Sequence, residues 1–333
     1  MSKVSGRERH SGSLALAALV GLVLSSAPVA AQSIDTSRVV ADSLWSGALG
    51  TWKRFLVYLP PSYGGGGERY PAVYYLHGWS GNETDWVERG RIRAVADSLS
   101  RSGMRPMLLI FPDGDDSWYT TWNALGNRGP CEADARRRES AATYCVPWPH
   151  YDDYLAHELV DYVDRRYRTT ARRESRGIAG LSMGGYGALA IALSYADRFA
   201  AAASHSGVVA PLHTSPAARP RKTRDDWSER ARFYGAILSS MELAFGRDSI
   251  GWRARDIAAL AARARARGTG VPTLWIDCGV EDGFIGQNRM LHAFLLSAHV
   301  PHVWREMPGS HNWSYWRANV VHSLQWFASV LSP

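Results

Sequence analysis

The chain has 333 residues, 46% of them hydrophobic, 11% aromatic and 21% charged, with 31 Gly, 16 Pro and 3 Cys. Those fractions exclude a disordered chain, a collagen-like repeat and a disulfide-stapled miniprotein, and the length suffices to bury a large core. The formal charge is +7, and it rests almost wholly on arginine, since the lysines are Lys3, Lys53 and Lys222.

The N-terminus holds the one stretch apolar enough to suggest a membrane, so a polytopic membrane protein is excluded. Lys3, Arg7 and Arg9 make a basic start, Leu14 to Leu24 a short apolar segment, and Ala27-Pro28-Val29-Ala30-Ala31 a run of small residues suited to cleavage after Ala31. The apolar run is short for a spanning anchor. Residues 1–31 are therefore expected to be a removed export signal, and residues 32–333 one domain that is secreted or periplasmic, with no stable membrane insertion. Arginine clusters such as Arg136-Arg137-Arg138 and Arg263/Arg265/Arg267 fall on loop or solvent-facing helix patterns and read as solvated surface. No nucleic-acid motif accompanies them.

Arg38 to Trp45 and Trp52 to Leu59 read as two strands joined by a Gly47/Gly50 turn. Short apolar runs then alternate with longer helical patterns. Strands are expected at Ala72–Leu76, Met107–Phe111, Gly177–Leu181, Phe199–Ser204 and Thr273–Asp277. Helices are expected at Trp86–Leu99, Tyr154–Tyr167, Gly185–Tyr195 and Trp316–Leu331. This alternation predicts an α/β protein with a mostly parallel sheet covered on both faces, its strand-end loops gathered along one edge. The inserts Asp113 to His150 and Gly207 to Arg267 are expected to cap that edge. Cys131 and Cys145 flank a polar, arginine-rich loop and form a candidate disulfide for an oxidising compartment, while Cys278 ends an apolar run and reads as a buried thiol. No Cys/His set has zinc-ligand spacing.

The most specific feature is Gly180-Leu181-Ser182-Met183-Gly184-Gly185 between a strand and a helix. A serine on such a tight turn presents its hydroxyl at the strand edge, and the turn needs small residues on either side. A nucleophilic serine needs a base, and the base an orienting acid. Downstream, Asp282 lies in the loop after the Thr273–Asp277 strand and is the candidate acid, with Asp277 and Glu281 as rivals. His311, on the Gly309-Ser310-His311 loop before the last helix, is the candidate base. His205 precedes the acid and breaks the Ser, acid, His chain order. His292, His302 and His322 sit inside element-like segments. The backbone N–H groups of Met183 and of Trp79, in His77-Gly78-Trp79, are candidate donors to an oxyanion.

Taken together, HGWSGNETDW (77–86), FPDGDDSWYTTW (111–122), GLSMGGYGALA (180–190), GVEDGF (279–284) and GSHNW (309–313) resemble the esterase D-like esterases. That group includes secreted feruloyl and acetyl-xylan esterases, S-formylglutathione hydrolases and mycolyl-transferring antigens. The resemblance spans roughly residues 50 to 330. It implies an α/β-hydrolase fold, a Ser-Asp/Glu-His triad on Ser182, Asp282 and His311, oxyanion donors at Trp79 and Met183, and no cofactor. Residues 123–149, which bear the cysteine pair, depart from the family pattern by their length.

Trp79, Trp118, Trp122 and Trp313 fall in loops on the catalytic edge. Aromatic faces there suit a sugar or an aromatic acyl group, so Trp118, Trp122 and Trp313 are expected to contact substrate. With export, this points to a serine carboxylesterase acting on feruloyl or acetyl esters of polysaccharide. The alternative is an acyltransferase that moves the acyl group to a sugar or lipid hydroxyl. A binding module on an inactive hydrolase scaffold has no need of all three candidate catalytic residues.

Overall fold

The computed structural model describes residues 36–121, 128–133, 135, 141, 150–210, 229–246, 249–268 and 270–333. The expected export signal, Trp122, and the pairing of the Cys131 and Cys145 side chains lie outside the described residues.

Eight strands form one sheet in the order β1-β2-β4-β3-β5-β6-β7-β8. They are β1 (Arg38–Ser46), β2 (Thr51–Leu59), β3 (Ala72–Leu76), β4 (Leu108–Pro112), β5 (Arg176–Leu181), β6 (Ala201–His205), β7 (Thr273–Gly279) and β8 (His302–Met307). From β4 across to β8 all neighbours are parallel, while the β1–β2 hairpin joins β4 antiparallel. Strands β3 to β6 are buried throughout, as apolar runs covered on both sides must be. Along β3 the side chains alternate between two cores: Ala72, Tyr74 and Leu76 face one, Val73 and Tyr75 the other.

The first core is closed by α2 (Val160–Arg166), α3 (Met183–Ser194), α4 (Glu229–Phe245), α5 (Ile257–Ala266) and α6 (Ile285–Ser297). The second is closed by α1 (Ile92–Arg101) and α7 (Trp313–Val330). Most element ends shift by one to three residues from the sequence expectation, and some differences are larger. The single helix expected over Trp86–Leu99 is two, Asp85–Glu88 and α1, because Arg91 adopts a left-handed conformation (φ 51°) between them. The helix after the glycine turn begins at Met183 rather than Gly185. β8 is absent from the strands expected from sequence, and its residues are at best half-buried.

The insert Gly207 to Arg267 is also not only a cap. Its last part, α5, packs on α3 through Ile257, Ala261 and Ala264 and is the β6–β7 crossover helix. Asp256 starts it by accepting the Ala258 N–H at 3.0 Å. The Ala/Arg composition of α5 masked this, because a stripe of alanines gives weak periodicity against exposed arginines.

Candidate active site

β5 ends in a sharp turn at Ser182, which sits at φ 54° and ψ −116°. That conformation is costly for a residue with a side chain, and it persists only where packing dictates it. The packing is severe: a Cβ on Gly180 would lie 2.2 Å from the Gly184 carbonyl oxygen, and one on Gly184 would lie 2.5 Å from the carbonyls of both Leu76 and His77. Ser182 N–H donates to the His205 carbonyl at 2.9 Å, tying the turn to β6. The hydroxyl therefore stands at the N-terminal end of α3, where the helix dipole favours negative charge.

The other two groups come from the ends of β7 and β8. Glu281 N–H donates to the Gly309 carbonyl and Val280 N–H to that of Met307, so the two loops are stitched together. His311 Nδ1 lies 2.8 Å from Asp282 Oδ2, and His311 Nε2 lies 2.9 Å from Ser182 Oγ. The ring is held edge-on by Phe284 and Trp316, at 5.0 and 4.9 Å. Asp282 is buried, which by itself would raise its carboxyl. The His311 hydrogen bond and charge, with the Phe284 N–H at 2.8 Å, outweigh burial and hold it below the usual carboxylate range.

Of the three carboxylates proposed from sequence, Asp282 is the one bonded to His311. Glu281 is exposed. Asp277 is buried, accepting from Tyr315 Oη at 2.9 Å and Trp275 Nε1 at 2.7 Å, with His205 Nδ1 at 2.7 Å. His205, the out-of-order histidine, thus belongs to this internal pair and not to the Ser182 relay. Through Tyr315, whose ring packs on Gly309, the pair supports the loop that carries His311.

Opposite His311, the His77-Gly78-Trp79 loop lies against the serine. A Cβ on Gly78 would be 3.5 Å from Ser182 Cβ. Met183 is the first residue of α3, where a backbone N–H has no acceptor within its own helix. Sequence reasoning missed what braces this loop. His77 Nε2 accepts the Gly114 N–H at 3.0 Å, Tyr119 Oη donates to the His77 carbonyl at 2.9 Å, and Ser80 N–H donates to Asp116 Oδ1 at 2.5 Å. Beneath them Lys53, buried on β2, pairs with Asp113 at 2.9 Å and Asp115 at 2.7 Å. The available signal was compositional: a lysine in an arginine-dominated chain, and three aspartates in FPDGDD.

Burial would raise the Asp113 carboxyl, but the Lys53 ammonium 2.9 Å away outweighs it and holds Asp113 well below the usual range. A carboxyl depressed in the folded state contributes stability that is complete above its unfolded value of about 4 and is lost as pH falls toward the folded value. Urea midpoints should accordingly drop between about pH 5 and pH 3, and drop less steeply in Asp113→Asn. Identical slopes for the two proteins would show that Asp113 carries none of this dependence.

Ser182, Asp282 and His311 border a cavity of about 680 Å³ whose walls include Trp79, Phe284 and Trp313. Trp313 carries the Arg89 guanidinium on its face, 5.0 Å from the ring centre. Trp118 does not reach the cavity, contrary to the sequence expectation. It is 1% exposed, donates through Nε1 to Ser240 at 2.9 Å and packs on Tyr186 and Phe245, so it is core. Its left-handed backbone (φ 57°) turns the ring inward.

A family model described as "Putative esterase" matches residues 46–327. An acetyl esterase of Caldicellulosiruptor saccharolyticus is 25% identical over 264 residues, 79% of this chain and 85% of that protein. An endo-1,4-beta-xylanase/feruloyl esterase of Xylanibacter ruminicola is 29% identical over 173 residues, half of this chain but 21% of that longer protein. Among solved structures, FphF, a fluorophosphonate-binding serine hydrolase of Staphylococcus aureus, superposes with a TM-score of 0.66 at 23% identity, covering 88% of this chain and 98% of that one. At that identity the likeness speaks for the fold alone.

Proposed function

Because the chain belongs to the esterase family that matches residues 46–327, and is a serine carboxylic-ester hydrolase, we propose that it is an exported enzyme that releases feruloyl or acetyl groups from carbohydrate through an acyl-enzyme on Ser182. The observation that carries the mechanism is the unbroken relay of two hydrogen bonds, Ser182 Oγ to His311 Nε2 and His311 Nδ1 to Asp282. His311 takes the hydroxyl proton through Nε2 as Oγ attacks the ester carbonyl carbon. Asp282 stabilises the imidazolium that results. The carbonyl oxygen, now an oxyanion, accepts from the N–H groups of Trp79 and Met183. The tetrahedral intermediate collapses, breaking the bond to the alcohol oxygen, which leaves with the proton from His311. Water then repeats the sequence on the acyl-enzyme, giving the free acid and regenerating Ser182.

The substrate class is supported by the tryptophan-walled cavity beside Ser182 and by the acetyl esterase and xylanase/feruloyl esterase among the relatives. It is tested by comparing methyl ferulate and acetylated xylan with p-nitrophenyl esters of increasing chain length. The expected order has ferulate or xylan acetate turned over best and long acyl chains worst. Preference for long chains, or an acylated sugar or lipid as product in place of free acid, would overturn the carbohydrate-esterase reading.

A further inference from the structure

We propose that Trp45 and Trp52 form a second, non-catalytic binding site for the polysaccharide chain that carries the ester. The proposal rests on the carbohydrate-ester reading above and extends it to a residue pair outside the cavity. The two indoles face each other across the β1–β2 hairpin, as directly paired residues, with ring centres 6.1 Å apart and planes at 74°. They are 56% and 64% exposed, whereas Trp86, Trp118, Trp252, Trp275, Trp316 and Trp326 are each below 10%. Among the described residues every other tryptophan is buried or half-buried, so two adjacent indoles left this far in water call for a ligand.

Their position relates them to the active site. β2 runs antiparallel to β4, and Phe55 of β2 pairs with Pro112 at the C-terminal end of β4. Trp52 therefore extends past that end, on the same sheet edge as the catalytic loops. From β5, which delivers Ser182, to β2 there are three strand spacings, and to β1 four. At about 4.8 Å per spacing, the pair lies about 14–19 Å to the side of the nucleophile. That span suits a polymer of several sugars and exceeds a single acyl group.

The ground between is polar. Arg54, two residues from Trp52 and on the same strand face, pairs across the hairpin with Ser43. Its guanidinium reaches Glu83 Oε1 at 3.4 Å, and Glu83 belongs to the loop whose Trp79 and Ser80 line the cavity. Ser43 and Arg54 flank the rings on the same strand face, so the pair is not part of the broad apolar patch that a protein partner requires. A pyranose offers what this surface accepts: a C–H face to lie on an indole, and hydroxyls for the guanidinium and serine beside it.

The test uses the double variant Trp45→Val/Trp52→Val, in which β-branched residues keep the hairpin's strand preference while removing both flat faces. Rates are measured on p-nitrophenyl acetate and on acetylated or feruloylated xylan, with depletion onto insoluble xylan, a thermal melt and gel filtration alongside. The variant is expected to retain kcat and KM on p-nitrophenyl acetate, to show KM for the polymer raised about tenfold or more, and to lose retention on xylan. Trp45→Tyr/Trp52→Tyr, which restores aromatic faces, is expected to recover most of the polymer affinity, and this recovery separates stacking from hairpin stability. Unchanged kinetics on xylan in a folded valine variant would overturn the site while leaving the esterase reading intact. A change from dimer to monomer without loss of xylan affinity would overturn it in favour of contact between copies. Native enzyme that cleaves small esters but no xylan ester would overturn the substrate reading, and this site with it.

Discussion

Replacing Ser182 with alanine should lower kcat/KM for p-nitrophenyl acetate by about five powers of ten, leaving only the modest acceleration that an oxyanion site supplies without a nucleophile. The fold should survive. Among the described residues the Ser182 side chain hydrogen-bonds to His311, and the close approaches that force the turn involve Gly180 and Gly184. The melting temperature is therefore expected to stay within a few degrees of native, so lost activity cannot be ascribed to lost structure. A folded variant that kept a tenth of native activity would place the nucleophile elsewhere.

Asp282→Asn should cost about four powers of ten. An amide in place of the carboxylate offers no charge to the imidazolium and can present its NH2 to His311 Nδ1, favouring the tautomer with the proton on Nε2, which cannot accept from Ser182. The neighbouring carboxylates make internal controls. Glu281→Gln, at an exposed position, should leave kcat within about twofold of native. Asp277→Asn should act mainly on stability, by about 3 kcal/mol, because it breaks a buried pair with His205. Urea titrations and steady-state rates on the three variants separate these outcomes. A large activity loss in Glu281→Gln with none in Asp282→Asn would refute the assignment.

Much of the site was legible because its chemistry is tied to local constraints. The turn at Ser182 itself brings Gly180 against the Gly184 carbonyl, and this glycine spacing is visible in the chain even though the carbonyls that crowd Gly184 come from Leu76 and His77. The loops after β7 and β8 announce themselves by glycines, and the order Ser, Asp, His follows from how the strands are wound. What stayed hidden depends on partners distant in sequence. Asp277 and Asp282 are both aspartates near the end of one strand, and only the sheet shows Asp277 turned toward Tyr315 and Asp282 toward His311. Lys53 lies 60 residues from the aspartate it holds. Trp118 and Trp313 both read as loop tryptophans in the sequence, yet Trp118 packs on α4, while Trp313 opens α7 and walls the cavity, a difference set by backbone conformation and by an insertion whose packing no periodicity revealed. β8 eluded the strand reading because an edge strand carrying Arg305 and Glu306 lacks the continuous apolar run of its neighbours.

The most direct measurement is peptide-level mass spectrometry on native enzyme quenched during turnover of p-nitrophenyl acetate, and in parallel on enzyme inactivated with a fluorophosphonate. The expected result is a single adduct on the peptide containing Ser182, approaching one per chain with the fluorophosphonate as activity falls to zero. Complete inactivation with the label on another residue, or full turnover with no covalent adduct formed by either reagent, would contradict the acyl-enzyme mechanism.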